Sequence, residues 1–255
     1  MDTPLRWKYV DDSSVGAVID NTAPDYNNLQ HTLNHLLAWT TNNHVTINDR
    51  KSVVMHFNLT TTPLPTPTLT LGTHPLEVVR STKLLGVVID DKLTWDAHVS
   101  TIVKSASYRL YMLRRLKSLG LPTSELCSIY KSFILPRLTY ASPAWSSSLS
   151  ITQKRRLECI QKRAIKIILG PSYTNYDDAL FTLQLVTLAD LHQQALSQFG
   201  QKLLVNPRHR HLLPPDAPQP RRAVRAFNKL VPIRARTERY KNSPIPTLVS
   251  MINSH

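Results

Sequence analysis

The chain has 255 residues, 42% of them hydrophobic, and 31 Lys/Arg against 17 Asp/Glu give a formal net charge of +14. That apolar content can bury a real core, as one large or two small domains, and it excludes a disordered tail. No run approaches the roughly 18 apolar residues of a membrane span, and no charged n-region precedes an apolar h-region, so the expectation is an intracellular protein, nuclear or cytoplasmic, with no membrane partner. Cys127 and Cys159 lie in apolar helical stretches without a CxxC partner and read as reduced core thiols.

The charge is unevenly placed. Residues 1–99 carry 7 Lys/Arg and 10 Asp/Glu, whereas residues 100–255 carry 24 and 7, a net of +17. Such a field attracts polyanions, and clustered Lys/Arg releases counterions from a nucleic-acid backbone, which makes binding salt-sensitive. A solvated helix face, or a contact with an acidic protein or a membrane surface, is the plainer alternative.

In chain order, Leu5 to Val10 and Val15 to Ile19 have strand character, with Tyr9-Val10-Asp11-Asp12 and Ser13-Ser14 at the tip of a hairpin carrying paired acids. Thr22 is a credible N-cap with Pro24 in the first turn of a helix, whose stripe Leu29, Leu33, Leu36, Leu37 runs to about Trp39 and stops at Asn42-Asn43. Short strands follow at Val45 to Ile47 and Val53 to Phe57, and then a Thr/Pro-rich loop from Thr60 to Thr68. Leu69 to Leu71 and Leu76 to Val79 flank Gly72-Thr73-His74 as a second hairpin, and Lys83 to Ile89 gives a further strand.

From Asp96 the apolar period changes from two to 3.6. Val99, Ile102, Val103, Ala106, Leu110 and Leu113 form one stripe, closed by Gly120 and Pro122. Further helical stretches run from Thr123 to about Trp145 with an interruption at Pro136, from Thr152 to Leu169, and from Leu188 to Leu204. In the third of these four, Leu157, Ile160, Ala164, Ile167 and Ile168 face one way, and Arg155, Arg156, Lys162, Arg163 and Lys166 the other. Past Pro207 a Pro/Arg-rich segment running to Arg225 has no convincing period and reads as a flexible or wrapping arm, followed by a short tail to His255.

Some features carry less. Lys104, Tyr108, Tyr111 and Arg115 fall on one side of the first long helix, but such tyrosines are more often packing residues than a nucleic-acid grip. His209 and His211 lack partners at ligand spacing, while Asp90-Asp91 and Asp177-Asp178 read as turn and helix-start acids.

Taken together in this order, the pieces resemble the C-terminal part of a reverse transcriptase from a non-LTR, LINE-like or jockey-type retrotransposon. Tyr9-Val10-Asp11-Asp12 resembles the catalytic YxDD hairpin. The helix ending in Trp39, followed by Asn48 and Lys51-Ser52, resembles the next palm motif, and Leu84-Leu85-Gly86-Val87-Val88-Ile89-Asp90 with Leu93-Thr94-Trp95 and His98 resembles the stretch at the primer-gripping hairpin. Leu126 to Tyr130 with Pro136, Leu138, Tyr140 and Trp145 is similar to the thumb pattern, and Arg239-Tyr240 with Ser243 to Pro246 to the ending of this lineage.

The resemblance implies an α+β fold: a partial palm sheet with one helix over residues 1–95, an all-α thumb-like bundle over 96–205, and an irregular Pro/Arg-rich segment over 206–255. It implies RNA-templated DNA synthesis with two Mg²⁺ ions, an RNA template with a DNA primer or RNA–DNA duplex as partners, and Asp11 and Asp12 as metal-holding catalytic carboxylates. Lys51 would sit near the leaving pyrophosphate as charge stabiliser or proton donor, Leu85 and Gly86 would bring backbone against the primer, and Arg155, Arg156, Lys162, Arg163 and Lys166 would follow phosphates without reading bases. The family's remaining aspartate and fingers lie well upstream of YxDD, so the expectation is a truncated fragment, inactive alone, completed by a longer polypeptide or associated with element-encoded RNA. The alternative is a non-catalytic nucleic-acid-binding protein that uses the basic helices.

Overall fold

The computed structural model describes residues 5–60, 64–218 and 229–254, which form two compact units divided between Leu93 and Thr94. The fold is α+β, with the strands before that division.

In the first unit, β1 (Leu5–Tyr9) and β2 (Asp12–Gly16) pair antiparallel, with Tyr9 opposite Asp12, so Val10 and Asp11 alone make the turn. Val10 has φ 55°, a left-handed conformation that a β-branched residue adopts only under constraint. The second strand therefore begins at Asp12 and ends at Gly16, three residues short of the expected Ile19. Gly16 is hemmed in, since a Cβ there would lie 3.3 Å from the Trp7 ring.

Helix α1 (Asn27–Asn42) starts later than Thr22 suggests. Asp20 and Asp25 each hold a nearby amide, Thr22 N and Asn27 N at 2.8 Å, so these residues make local turns instead of a cap. The leucine stripe is only half-buried, and Thr32 and Thr40 are the buried side chains. Gln30 fixes the helix to the strand region: its amide accepts from Thr70 N at 2.8 Å and donates to Thr70 O at 2.9 Å, filling the place of a neighbouring strand.

The remaining strands are short. A 3₁₀ turn at Asp49–Lys51 precedes β3 (Val53–Val54); β4 (Thr70–Leu71) and β5 (His74–Pro75) form a hairpin; β6 (Glu77–Val78) runs parallel to β3. No strand forms at Val45 to Ile47. Lys83 to Ile89 is two strands instead of one, since β7 (Ser81–Leu84) and β8 (Val87–Asp90) turn back on each other through Leu85 and Gly86. Both turn residues have positive φ, 46° and 87°, as a tight hairpin turn with the right-handed strand twist requires.

The second unit is helical. α2 (Asp96–Ser118) and α5 (Ile151–Leu169) run side by side in the same direction. Gln153 donates to Asp96 Oδ1 at 2.6 Å, Arg156 to Ser100 Oγ at 3.0 Å, and Lys117 near the far end to Ile168 O at 2.9 Å. Ser150 and Gln153 complete a reciprocal capping box at the start of α5. Between these helices, α3 (Thr123–Ile129) widens into a π turn at Tyr130–Ile134 and continues as α4 (Leu135–Thr139). The wide turn accommodates Pro136, whose ring and missing N–H do not fit a regular α-ladder.

α6 (Tyr176–Thr182) and α7 (Leu188–Val205) follow, capped by Asn175 and Thr187. The described residues on either side of 219–228 are tied to the helical unit. Arg210 donates to Pro214 O and Asp216 Oδ1, both at 2.6 Å, and α8 (Glu238–Lys241) leads into α9 (Pro244–Asn253), which packs Leu248, Val249 and Ile252 with Leu196 and Leu203 of α7. Pro220, Arg221, Arg222 and Arg225 of the Pro/Arg-rich reading lie outside the described residues.

Trp145, fully buried, sits between His98 and His192 with ring centroids 5.1 and 5.2 Å away, and its indole N–H donates to Tyr140 O at 3.1 Å. Beside this column a buried polar chain links three helices. Tyr130 donates to Gln161 Oε1 at 2.5 Å, Gln161 donates to Tyr176 Oη at 2.9 Å and Val186 O at 2.8 Å, and Tyr176 donates to Glu158. Glu158 also accepts Leu188 N at 3.2 Å, placing a carboxylate at the positive end of α7. Burial holds both phenols well above the usual tyrosine range. Tyr130→Phe leaves the Gln161 carbonyl unpaired in the core and is expected to cost about 1–3 kcal/mol, read as a lower urea midpoint at unchanged slope.

Burial also lowers the His98 and His192 values; for His192 the Leu138 carbonyl at 2.8 Å opposes the shift in part. Folded histidines that resist protonation bind fewer protons than the unfolded chain once pH falls below about 6.5. Stability is therefore full above that pH and is lost as pH falls toward the folded values, which a series of thermal melts at falling pH would register as a declining Tm.

Candidate functional site

The hairpin displays its acids without burying them. Asp11 occupies the turn and Asp12 the first position of β2, both exposed, with Trp7, Tyr9 and Val10 also exposed around them. Two carboxylates offer hard oxygen donors of the kind Mg²⁺ takes, so the residues fit that ion in kind. Among the described residues no cluster of three His, Cys, Asp or Glu forms, so the pair supplies part of a coordination shell.

Lys51 closes the 3₁₀ turn, where Asn48 Oδ1 accepts its backbone N–H at 3.2 Å, and its side chain is exposed. Asp49 in the same turn lies 3.4 Å from His74 Nε2. Among the described residues Asp11 and Asp12 form no ion pair with Lys51. Leu85 and Gly86 project as the β7–β8 turn, with Leu85 42% exposed. These three predicted sites thus belong to one unit, and each is exposed.

The five cations of α5 share its outward face, with Arg155, Lys162, Arg163 and Lys166 exposed and Arg156 half-buried. The helix's opposite side enters the core through Leu157, Ile160, Ala164, Ile165 and Ile168; Ile167, expected there, is half-buried at the boundary. Cys159 is exposed, not a core thiol: at i±3 and i±4 from Arg155, Arg156, Lys162 and Arg163 it falls in the middle of the basic face, whereas Cys127 is buried and donates to Leu183 O. Lys162 sits over the Tyr176 ring at 4.6 Å and Lys166 over Tyr173 at 5.1 Å. Those aromatic partners have no signal in the sequence, because a loop folds them back onto a helix already passed.

On α2, Lys104, Tyr108, Tyr111 and Arg115 all point outward, and the two tyrosines are 70% and 59% exposed. The packing reading of these tyrosines is overturned, because Val99, Ile102, Ala106, Leu110 and Leu113 on the other side complete the core without them.

The chain is 24% identical over 205 residues to the RNA-directed DNA polymerase from mobile element jockey of Drosophila melanogaster, a match covering 78% of this chain and 22% of that protein. It is 27% identical over 180 residues, 69% of the chain and 19% of the relative, to the probable RNA-directed DNA polymerase from transposon X-element of the same organism. The chain is related to non-LTR retrotransposon reverse transcriptases. It spans about a fifth of the length of these curated relatives. No family model and no solved structure matches it. Among the described residues no helix is long and apolar enough to cross a membrane, so helices such as α2 and α5 are amphipathic parts of a helical unit and not spans.

Proposed function

We propose that this chain is the catalytic-hairpin-to-thumb portion of an RNA-directed DNA polymerase, with Asp11 and Asp12 contributing to the Mg²⁺ site of RNA-templated DNA synthesis. The observation that carries the reading is the two-residue turn: the Tyr-x-Asp-Asp motif of a chain related to reverse transcriptases sits at an exposed hairpin tip, with both carboxylates open to a substrate. Bound Mg²⁺ would neutralise the triphosphate and polarise the primer hydroxyl. Asp11, in the turn, is the more direct ligand and Asp12 adds charge from the strand. Lys51 offers a mobile cation to the leaving pyrophosphate, and the Leu85-Gly86 turn gives backbone, bare of a Cβ at Gly86, to the primer. The basic face of α5 holds the template–primer by its phosphates, without base readout.

Two carboxylates are fewer than two-metal transfer needs, so the chain alone is expected to be inactive and to work with a polypeptide that adds a further ligand. The test is templated incorporation on a homopolymer template, by the chain alone and with it replacing the matching segment of the jockey polymerase. A chimera that incorporates nothing while remaining folded and template-bound counts against the proposal. A second reading, a nucleic-acid-binding protein without catalysis, is favoured by the isolation of the acid pair and the extent of the basic face; it keeps the binding and drops the chemistry.

A further inference from the structure

The outward faces of α2 and α5 form one surface. The helices run in parallel, and Arg156 of α5 reaches Ser100 of α2, one turn before Lys104. Packed helices lie about 8–10 Å apart, close enough for one bound strand to touch both. Arg163, seven residues after Arg156, lies on the same edge of α5 toward α2. Beyond that seam, Lys104, Tyr108, Tyr111 and Arg115 recur at i, i+4, i+7 and i+11, an outward line about 16 Å long with aromatics at its centre and a cation at each end.

Two exposed tyrosines three residues apart are not explained by the core, and they stand against a strongly basic neighbour. We infer that this surface holds a single strand of nucleic acid: Tyr108 and Tyr111 stack on exposed bases, while Lys104, Arg115 and the Arg156/Arg163 edge of α5 bind the phosphates on either side. Charge complementarity commits the surface to a polyanion. The exposed rings select unpaired bases, because a duplex keeps its base faces stacked and offers a helix face only phosphate, sugar and groove edges. The inference rests on the reading of α5 as a phosphate-binding face, and extends it from duplex to single strand.

The test uses the full chain and the Tyr108→Ala/Tyr111→Ala variant, with fluorescence anisotropy on labelled oligo(dT) and on a blunt duplex over a salt series. Both rings are exposed, so the thermal melt is expected to match wild type. Affinity for oligo(dT) should fall at least about 10-fold with the slope of log K against log salt unchanged, because stacking releases no counterions, and duplex affinity should stay within about two-fold. A Tyr108→Phe/Tyr111→Phe variant, which keeps the rings, should bind oligo(dT) as wild type does. Unchanged oligo(dT) binding by the alanine variant, or equal loss on strand and duplex, overturns the inference while leaving the α5 reading intact. A wild-type chain with no salt-dependent affinity for either probe overturns both.

Discussion

Asp11→Asn in the polymerase chimera is expected to reduce templated DNA synthesis about 10²–10³-fold, the loss that follows removal of one charge-stabilising partner from a reacting centre. Asparagine suits the comparison because it retains the size of aspartate and tolerates turn conformations equally well, so the two-residue tip between Tyr9 and Asp12 should persist. What is removed is one negative charge and one ionised oxygen donor to Mg²⁺. Asp12→Asn, altering the strand position beside the turn, should cost less. Primer extension at saturating template separates the two, and template affinity should be unchanged in both variants because neither residue lies on the basic face. Equal incorporation by wild type and Asp11→Asn would remove the hairpin from the chemistry. Incorporation by the unassisted chain, abolished by Asp11→Asn, would show that two carboxylates suffice.

Neutralising the α5 face is expected to give the other large effect. With Arg155, Arg156, Lys162, Arg163 and Lys166 all changed to Gln, loss of five phosphate contacts should flatten the slope of log K against log salt by about 3.5 to 4.5. Over a tenfold change in salt, a slope difference of about 4 corresponds to roughly 10⁴ in affinity, with the effect largest at low salt. Gln preserves helix propensity and Leu157, Ile160, Ala164 and Ile168 remain buried on the other side, so the bundle should still fold. Exposed Cys159, in the middle of the stripe, offers a position for a reporter dye while Cys127 stays buried. A slope unchanged by the five substitutions would make this face a solvated surface only.

Where the sequence read well, the signal was local. The presence of a hairpin with Asp11-Asp12 near its tip, the stripe from Val99 to Leu113, the stop at Gly120-Pro122 and the two-sidedness of α5 all follow from residue type and spacing, although the tight turn at Val10-Asp11 does not, since β-branched Val10 adopts a positive φ there. Where it read poorly, a competing contact decided. Thr22 and Pro24 look like a helix start, but Asp20 and Asp25 hold the local amides and the helix begins only at Asn27. Lys83 to Ile89 looks like one apolar strand, but Leu85-Gly86 reverses it. The last residues look like no more than a short tail, yet Pro244 opens α9 at a position where the missing N–H costs nothing, and Val249 and Ile252 then reach α7.

By itself the sequence determined the α+β order, the exposed Asp11-Asp12 tip and the concentration of positive charge after residue 100, because each depends on nearest neighbours along the chain or on composition. Only the tertiary structure decided which faces stay uncovered. Exposure of Tyr108, Tyr111 and Cys159, the rings beneath Lys162 and Lys166, and the seam between α2 and α5 at Arg156 and Ser100 depend on which distant segment packs where. A helical period specifies a face but not its neighbour, so the surface on which both binding proposals stand became visible only once the core was complete.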